Sequence, residues 1–421
     1  MKAPTGAHDT AFFENRIESD QKIEVQALEP HLLASILRIS QINIIDFSNF
    51  RNHATKFSTR KQPLIKNNRA PGETTLIKPW IFEFMQAPNP SDGDTLPGAV
   101  TAAFNDNFAF WLEAERLGFE GIFFSEHHFA HSLSPSPNLL IAAISRHTTR
   151  LRLGTMGNVV PLYEPWRVIE ELTMLDHLTS GRLEIGFAAG VPQELARIGL
   201  GMAEARERFN EALDILDAAL VNPVVNHSGK YWKFENLTLM PGVFLQPAPP
   251  KWTTVVSSAS AQKSAQRRSK ICTGFESVSR ISEIFDAYRS ECAGLGLPAS
   301  PDQLAIRRNI SISRDAAAAR DEARTAKAAT LKIVAGDPRV TDRASSTLDA
   351  PKAGAGFSLH DDDYIAGTPA QVAEQIIDQC RKCGAGHFLA MLSRGSSARR
   401  LESLALFGEE VLPQMRRAQI G

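Results

Sequence analysis

Cysteine is scarce, with four in 421 residues, and that excludes a disulfide-stapled secreted scaffold. Charge imbalance is also missing. The 46 Lys and Arg nearly cancel the 47 Asp and Glu, leaving a formal net charge of -1 at pH 7. Neither polyanion binding nor salt-adapted solvation is therefore implied. No apolar run approaches the roughly 18 residues of a membrane span. The first residues, "MKAPTGAHDTAFFENRIESD", are acidic and hold no continuous apolar stretch, so they do not read as a secretory leader. A reducing, soluble compartment is expected, which here means the cytoplasm. No glycine-rich fingerprint opens the first strand–turn–helix unit, which removes the basis for a doubly wound dinucleotide fold. The pair Cys380 and Cys383 in "CRKC" falls inside a helical pattern, not after a strand. It reads as two partly buried helix cysteines, not as a redox dithiol.

What the chain does have is rhythm. From Lys78 onward, short apolar strands alternate with amphipathic helices. The strands read as "PWIFEFMQ", "GIFF", "LRLGTMG", "GRLEIGF", "KWTTVVSS", "KICTGF", "QLAIRRNISIS" and "HFLAMLS". Their composition shows little alternation, which suggests parallel strands covered on both faces. Helices follow them, for example "MAEARERFNEALDILDAAL", with Phe209, Leu213, Leu216 and Leu220 on one stripe. The helix after Thr368 begins with a capping residue. About eight strand–helix units predict an α/β fold, a (β/α)8 TIM barrel. Insertions are expected at Asn222–Pro250 and Gly336–Tyr364, each a candidate lid. Residues 1–75 carry no chemical motif and read as an N-terminal extension or accessory segment, with the barrel domain spanning 76–421.

Barrel chemistry sits at the C-terminal ends of the strands. "SEHHFAHS" falls there, after the second strand, and brings Glu126, His127, His128 and His131. Side chains alternate along a strand, so Glu126 and His128 share one side and His127 points to the other. The cluster reads as metal ligands, as a structural pair or as a proton-handling corner. Adjacent histidines seldom converge on one ion, and no second Glu/His cluster completes a shell, so proton handling fits better. After the third strand, "GTMGNVVPLYEPW" permits close approach of a planar group to the backbone. Arg182 in "TSGR" is expected to pair with an acid such as Asp176. "VVSSAS" ends the fifth strand in Ser257 and Ser258 and opens a helix, which serves equally as a phosphate seat or an ordinary cap. Arg206, early in a helix, reads as a phosphate partner or as an exposed arginine.

These stretches together resemble the bacterial luciferase-like flavin-dependent monooxygenases. The resemblance runs from about Trp80 to Met415. It rests on "GFEGIFFSEHHFA", on "LRLGTMGNVVPLYEPWRVIEELTMLDHLTSGRLEIGF", on "SSAS", on "GTPAQVAEQI" and on "FGEEVLP". It implies reduced FMN at the barrel mouth and oxygen addition at the flavin C4a to give a peroxyflavin. That species would oxidise an aldehyde, a ketone or another small apolar organic substrate. A separate flavin reductase would supply the reduced flavin. A homodimer, or a heterodimer with a similar subunit, is also implied. By the same resemblance His127 assists proton transfers, with Glu126 and His128 beside it, and Arg206 and Ser258 meet the flavin phosphate. Ser257, Met156, Ala188 and Ala189 complete the expected cofactor-binding set. The chain departs from luciferase at three places: Ala188 replaces a reactive cysteine, Ala189 a phosphate-binding arginine, and Ser257 a glutamate. Deazaflavin (F420)-dependent oxidation on the same barrel, or a non-catalytic flavin-binding subunit, are the alternatives. Phe123, Phe124, Phe129, Met156 and Trp166 are candidates to keep the site dry.

Overall fold

A short apolar strand buried on both faces needs a strand on each edge and a helix on its back. Eight such strands meet this need by closing into a ring. In the computed structural model, which describes residues 75–87, 96–129, 132–334, 359–392 and 395–420, the ring is complete. Its strands are β1 (Lys78–Glu83), β2 (Gly121–Phe124), β3 (Arg152–Thr155), β4 (Leu183–Ala188), β5 (Lys251–Thr254), β6 (Lys270–Thr273), β7 (Leu304–Ile312) and β8 (His387–Leu392). Neighbours pair in parallel all the way round, and β8 closes on β1 with His387 opposite Lys78 and Ala390 opposite Ile81.

Each strand is followed by helical cover. The helices are α1 (Leu96–Leu117), α2 (Pro137–Ser145), α3 (Pro165–Thr179), α4 (Met202–Ala219), α5 (Ser258–Gln266), α6 (Val278–Gly294), α7 (Ala316–Val334), α8 (Pro369–Cys383) and α9 (Ser397–Leu406). Their ends obey local rules. Thr368 caps α8 in a reciprocal capping box with Gln371, and Gly384 ends it in the left-handed region. On α4 and its C-cap, Leu213, Leu216 and Leu220 are buried while Phe209 is partly buried. A short strand, Tyr364–Gly367, extends the sheet beside β7 ahead of α8. No described helix is long and apolar enough to cross a membrane.

The expected barrel is therefore the observed one. The expected N-terminal segment, residues 1–75, lies outside the described residues except for Thr75. His131 and most of the Gly336–Tyr364 insertion lie outside them too. The Asn222–Pro250 insertion forms an antiparallel hairpin, Val224–Ser228 with Lys233–Thr238. Glu211 of α4 fastens its turn by accepting from the amides of Lys230, Tyr231 and Trp232.

Two expectations need correction. Arg182 does not pair with Asp176. Its guanidinium donates instead to the carbonyls of Ser145, Leu151 and Thr179 and to the Thr148 hydroxyl. Asp176 turns the other way and accepts the amides of Phe244 and Leu245, fixing the insertion to the end of α3. Both residues satisfy orphaned backbone groups, which charge pairing alone would leave unmet. The second correction is degree of burial. Cys380 and Cys383 are fully buried free thiols, at 0% and 2% exposure, and burial pushes both thiols up, to about 11 for Cys383.

Alternation along the strands sends one set of side chains outward under the helices and the other into the lumen. The lumen set is Trp80, Phe123, Met156, Trp252, Cys272, Ala305 and Leu389, with Phe82 packed against it. Trp80 stacks on Phe123 with ring centroids 4.6 Å apart. Gly121 permits this, since a Cβ there would meet the Trp80 ring at 2.3 Å. At the N-terminal foot of the barrel the lumen turns polar. Trp252 Nε1 donates to Glu184 at 2.6 Å, and Arg152 Nε donates to the same carboxylate at 2.6 Å. Trp80 Nε1 donates to His387 Nδ1 at 2.9 Å, so His387 carries its proton on Nε2 and donates to the Asp302 carbonyl at 3.2 Å.

Burial holds the His387 imidazole well below the usual histidine value. Once pH falls below about 6.5, the unfolded chain takes up a proton at this position that the folded barrel refuses. Stability is thus lost as pH falls through that window. The expected outcome is a Tm that declines on acidification, with a shallower decline in a His387→Gln protein, measured by thermal melts across pH.

Candidate active site at the barrel mouth

The chain leaves β2 at Phe124, and the next four residues are Ser125, Glu126, His127 and His128. Ser125 fixes the exit by donating from both its amide and its hydroxyl to the Glu83 carbonyl, at 3.0 Å in each case. From that anchor the expected alternation holds. Glu126 and His128 turn to one side, and His127 turns to the other.

Glu126 is 4% exposed and carries the site's framework. Its Oε1 accepts from His128 Nε2 at 2.9 Å and from the Tyr163 hydroxyl at 2.8 Å, while Oε2 accepts from the Val159 amide at 3.0 Å. One carboxylate therefore joins the loop after β2 to the loop after β3. A buried carboxylate is stable only when its lone pairs are met in this way. The hydrogen bond to Glu126 raises the His128 imidazole above its usual value. Burial, and then the neighbouring Glu126 charge, keep the Tyr163 phenol protonated far above its usual range.

His127 faces a different acid. Its Nδ1 lies 2.8 Å from Glu194 Oε1, and the other oxygen of Glu194 accepts the His128 amide at 3.1 Å. Glu194 stands on the short helix Pro192–Arg197, just after β4. A carboxylate only accepts, so Nδ1 carries the hydrogen and Nε2 is left for another partner. The ring is also wedged edge-on against Phe84, with centroids 4.5 Å apart. His127 is thus oriented from two sides, by Glu194 and by Phe84, just past the end of β2. Since the two imidazoles serve different carboxylates, they do not converge. Among the described residues no group of three His, Cys, Asp or Glu side chains is gathered as a metal requires.

The other expected residues lie at or past the ends of β3, β4 and β5, or on α4. Met156 is a lumen residue just past the end of β3, and its peptide bond to Gly157 is cis. Ala188 ends β4 opposite Val159, whose amide serves Glu126. Ala189 and Gly190 follow, and Gly190 sits at φ +90° where a Cβ would meet Val159 at 2.9 Å. Ser257 caps α5 and its hydroxyl is committed to Ser260, at 3.2 Å from that amide. Ser258 opens α5 with no hydrogen bond on its hydroxyl among the described residues. Arg206 is exposed on α4, whereas Arg208, two residues on, faces a cleft. That cleft, about 480 Å³, is lined by His128, Phe129, Tyr163, Gly199, Glu204 and Arg208 among others, a size ordinary for a small-molecule site. Of the candidates to keep the site dry, Phe123 and Met156 line the lumen, Phe124 and Trp166 belong to the outer core, and Phe129 is 46% exposed beside the cleft.

Sequence reasoning missed Glu194, Tyr163 and Arg208. The first two carried a signal, since each lies in a loop leaving a barrel strand, which is where site residues accumulate. Arg208 was passed over for Arg206. On a helix the two point roughly 200° apart, and only the cleft decides between them.

His128 has a raised value, so its pairing with Glu126 contributes stability that is full below about 6.5 and is lost as pH rises through that raised value. In Glu126→Gln the same imidazole should titrate lower. The check is an NMR titration of the histidine ring signals in both proteins. An unchanged His128 midpoint would remove Glu126 as the cause.

Comparison with known proteins shows the family and the fold. Residues 84–387 match the family model of the luciferase-like monooxygenases. An uncharacterized protein, y4wF, of Sinorhizobium fredii is 30% identical over 308 residues, covering 70% of this chain and 87% of that protein. Among solved structures, the monooxygenase RslO1 of Streptomyces bottropensis superposes with a TM-score of 0.67 at 22% identity, over 80% of this chain and 99% of that one. The oxygenating constituent of 3,6-diketocamphane monooxygenase from Pseudomonas putida, in complex with FMN, superposes with a TM-score of 0.65 at 18% identity, over 80% and 98%. The family match spans most of the barrel and includes the Glu126–His128 corner; the chain belongs to the luciferase-like monooxygenase family.

Proposed function

We propose that the barrel mouth binds reduced FMN and uses it with molecular oxygen to oxidise a small organic substrate that presents an aldehyde, a ketone or a comparable carbon to the His127 corner. The observation that carries this reading is His127 itself: an imidazole just past the end of β2, oriented by its Nδ1 hydrogen bond to Glu194 and packed edge-on against Phe84.

The residues present fit a planar cofactor with a phosphate tail. Helices α4 and α5 follow consecutive strands, so both begin at the same end of the barrel. The start of α5 offers the Ser258 hydroxyl and the amides of Ser258 and Ala259, with Ser257 holding the turn as cap. Arg208, held by Glu204 on the cleft side of α4, brings a guanidinium to the first turns of that helix. These groups compensate for the alanine at position 189. Ala188, Ala189 and Gly190 keep side-chain bulk away from a ring at the mouth. A relative of the same fold is known in complex with FMN and is described as the oxygenating constituent of its system. By that likeness a separate reductase would supply this chain's reduced flavin.

When bound, the reduced flavin supplies two electrons and activates dioxygen at its C4a carbon. The chain's own residues do the rest. Phe82, Phe84, Phe123 and Met156 exclude water, which would otherwise discharge the oxidising power unproductively. His127 Nε2 holds or releases a proton at the reacting atoms, and Glu194 stabilises the ring when Nε2 is protonated. Glu126 and His128 keep the two loops at fixed spacing, so that His127 stays aimed at the mouth.

Three measurements test the proposal. Saturable binding of reduced FMN, with oxygen uptake stimulated by members of an aldehyde and ketone panel, is the expected result; no saturable binding would end it. In His127→Ala, substrate oxidation should fall by about a hundredfold or more while reduced-FMN affinity stays close to wild type. Turnover undiminished in that protein would remove His127 from the chemistry. Ser258→Ala should weaken binding of FMN about tenfold and riboflavin hardly at all.

A further inference from the structure

One strongly buried cation takes no part in the site described so far. Arg307 lies on β7, two residues beyond the lumen residue Ala305 and on the same face. It is 4% exposed. Its guanidinium packs over the ring of Phe275 at 4.0 Å and toward the ring of Phe82 at 5.7 Å. Gly274 gives it room, since a Cβ there would stand 3.3 Å from Arg307 Nε. Nη1 of Arg307 is buried and has no hydrogen-bond partner.

Charge around it is short. The nearest carboxylate, Asp363, stands 3.5 Å from Arg307 Nη1 and also 3.5 Å from Arg308 Nη1. That carboxylate already accepts from Asn309 Nδ2 at 2.6 Å and from the Phe275 amide at 3.2 Å. Arg308, on the outer face, finds further partners in Gln379 and the Glu276 carbonyl. Among the described residues Arg307 Nη1 finds no hydrogen-bond acceptor. A buried guanidinium carries a full charge, and leaving one of its nitrogens unmet is costly unless something else fills the place.

Its position says what fills it. Phe82 and Phe84 are successive inward residues of the β1 track, about 7 Å apart along the strand. Arg307 leans on the first and His127 on the second. We propose that Arg307 anchors the carboxylate of the substrate at the floor of the mouth. A substrate so held spans the Phe82–Phe84 track and presents a carbon roughly one aromatic ring away, beside His127. The planar fork of arginine matches a carboxylate in two parallel hydrogen bonds. The substrate class is thus a small carboxylic acid with an aromatic or short apolar body. This deepens the function proposed above and rests on it.

The test needs no turnover. Benzoate and its neutral isostere benzamide are titrated into the wild-type protein, Arg307→Met and Arg307→Lys, with tryptophan fluorescence as the readout. Reduced-FMN binding and circular dichroism are measured in parallel. Expected is saturable benzoate binding to wild type at least about tenfold tighter than benzamide, a preference lost in Arg307→Met and partly kept in Arg307→Lys. Equal binding of the two probes to wild type, or a preference that survives in Arg307→Met, overturns the proposal. So does an Arg307→Met protein that loses affinity for reduced FMN yet still prefers benzoate, because the cation would then serve the cofactor. If Arg307→Met does not fold, the wild-type probe comparison and Arg307→Lys still decide. Failure of wild type to bind reduced FMN would sink the function proposed above, whereas failure of the benzoate preference alone sinks only this one.

Discussion

A buried carboxylate holds the mouth together. Glu126 accepts one hydrogen bond from its own loop, at His128, and two from the loop after β3, at Tyr163 and Val159. Val159 pairs with Ala188 at the end of β4, so the same contact reaches a third strand. The barrel supplies eight strand ends, but a ring of strands does not by itself fix the loops above it. A charged acceptor with three donors does, because moving any one of the loops would leave that charge unmet in a low-dielectric place. The direction of His127 follows from this. With Glu126 and His128 taken to one side, the residue between them must face the other.

Lumen and foot divide the remaining labour. Apolar and aromatic side chains fill the middle of the barrel, and a polar floor of Glu184, Arg152 and His387 closes its N-terminal end. The indole hydrogens of Trp80 and Trp252 join the two layers, so large rings sit deep without orphaned donors. Rigidity below gives the loops above a fixed base. The conspicuous "LDHLTSGR" run plays a part in this too. Asp176 and Arg182 spend their charges on backbone amides and carbonyls, which pins the end of α3 and the 222–250 insertion. The motif therefore marks the fold more than the chemistry.

Much of this was legible in the sequence. Every barrel strand follows from short apolar runs at regular spacing, because period and length are local properties. The opposed directions of Glu126 and His127 follow from strand alternation. What was not legible depends on tertiary pairing. Arg182 sits close in sequence to Asp176, yet helix geometry sends it to carbonyls across the loop. Arg206 and Arg208 look equivalent until a cleft distinguishes their faces. Glu194 is separated from His127 by more than two strands of sequence and meets it only when the barrel closes. Arg307 reads as an ordinary strand residue, and its unmet Nη1 shows only once Asp363 is seen to be shared with Arg308. At Ser257 the structure shows the capping role that the sequence offered beside a phosphate seat.

The central claim is that one corner divides its duties, with Glu126 and His128 holding the loops and His127 turned to a cofactor in the mouth. A crystal structure of the protein with FMN bound tests it most directly. The account predicts the phosphate at the start of α5 beside Ser258, the flavin ring over the lumen within reach of His127 Nε2, and the Glu126–Tyr163–Val159 contacts intact. A flavin bound away from the mouth, or His127 turned from it with Glu126 released from the loop after β3, would contradict the account.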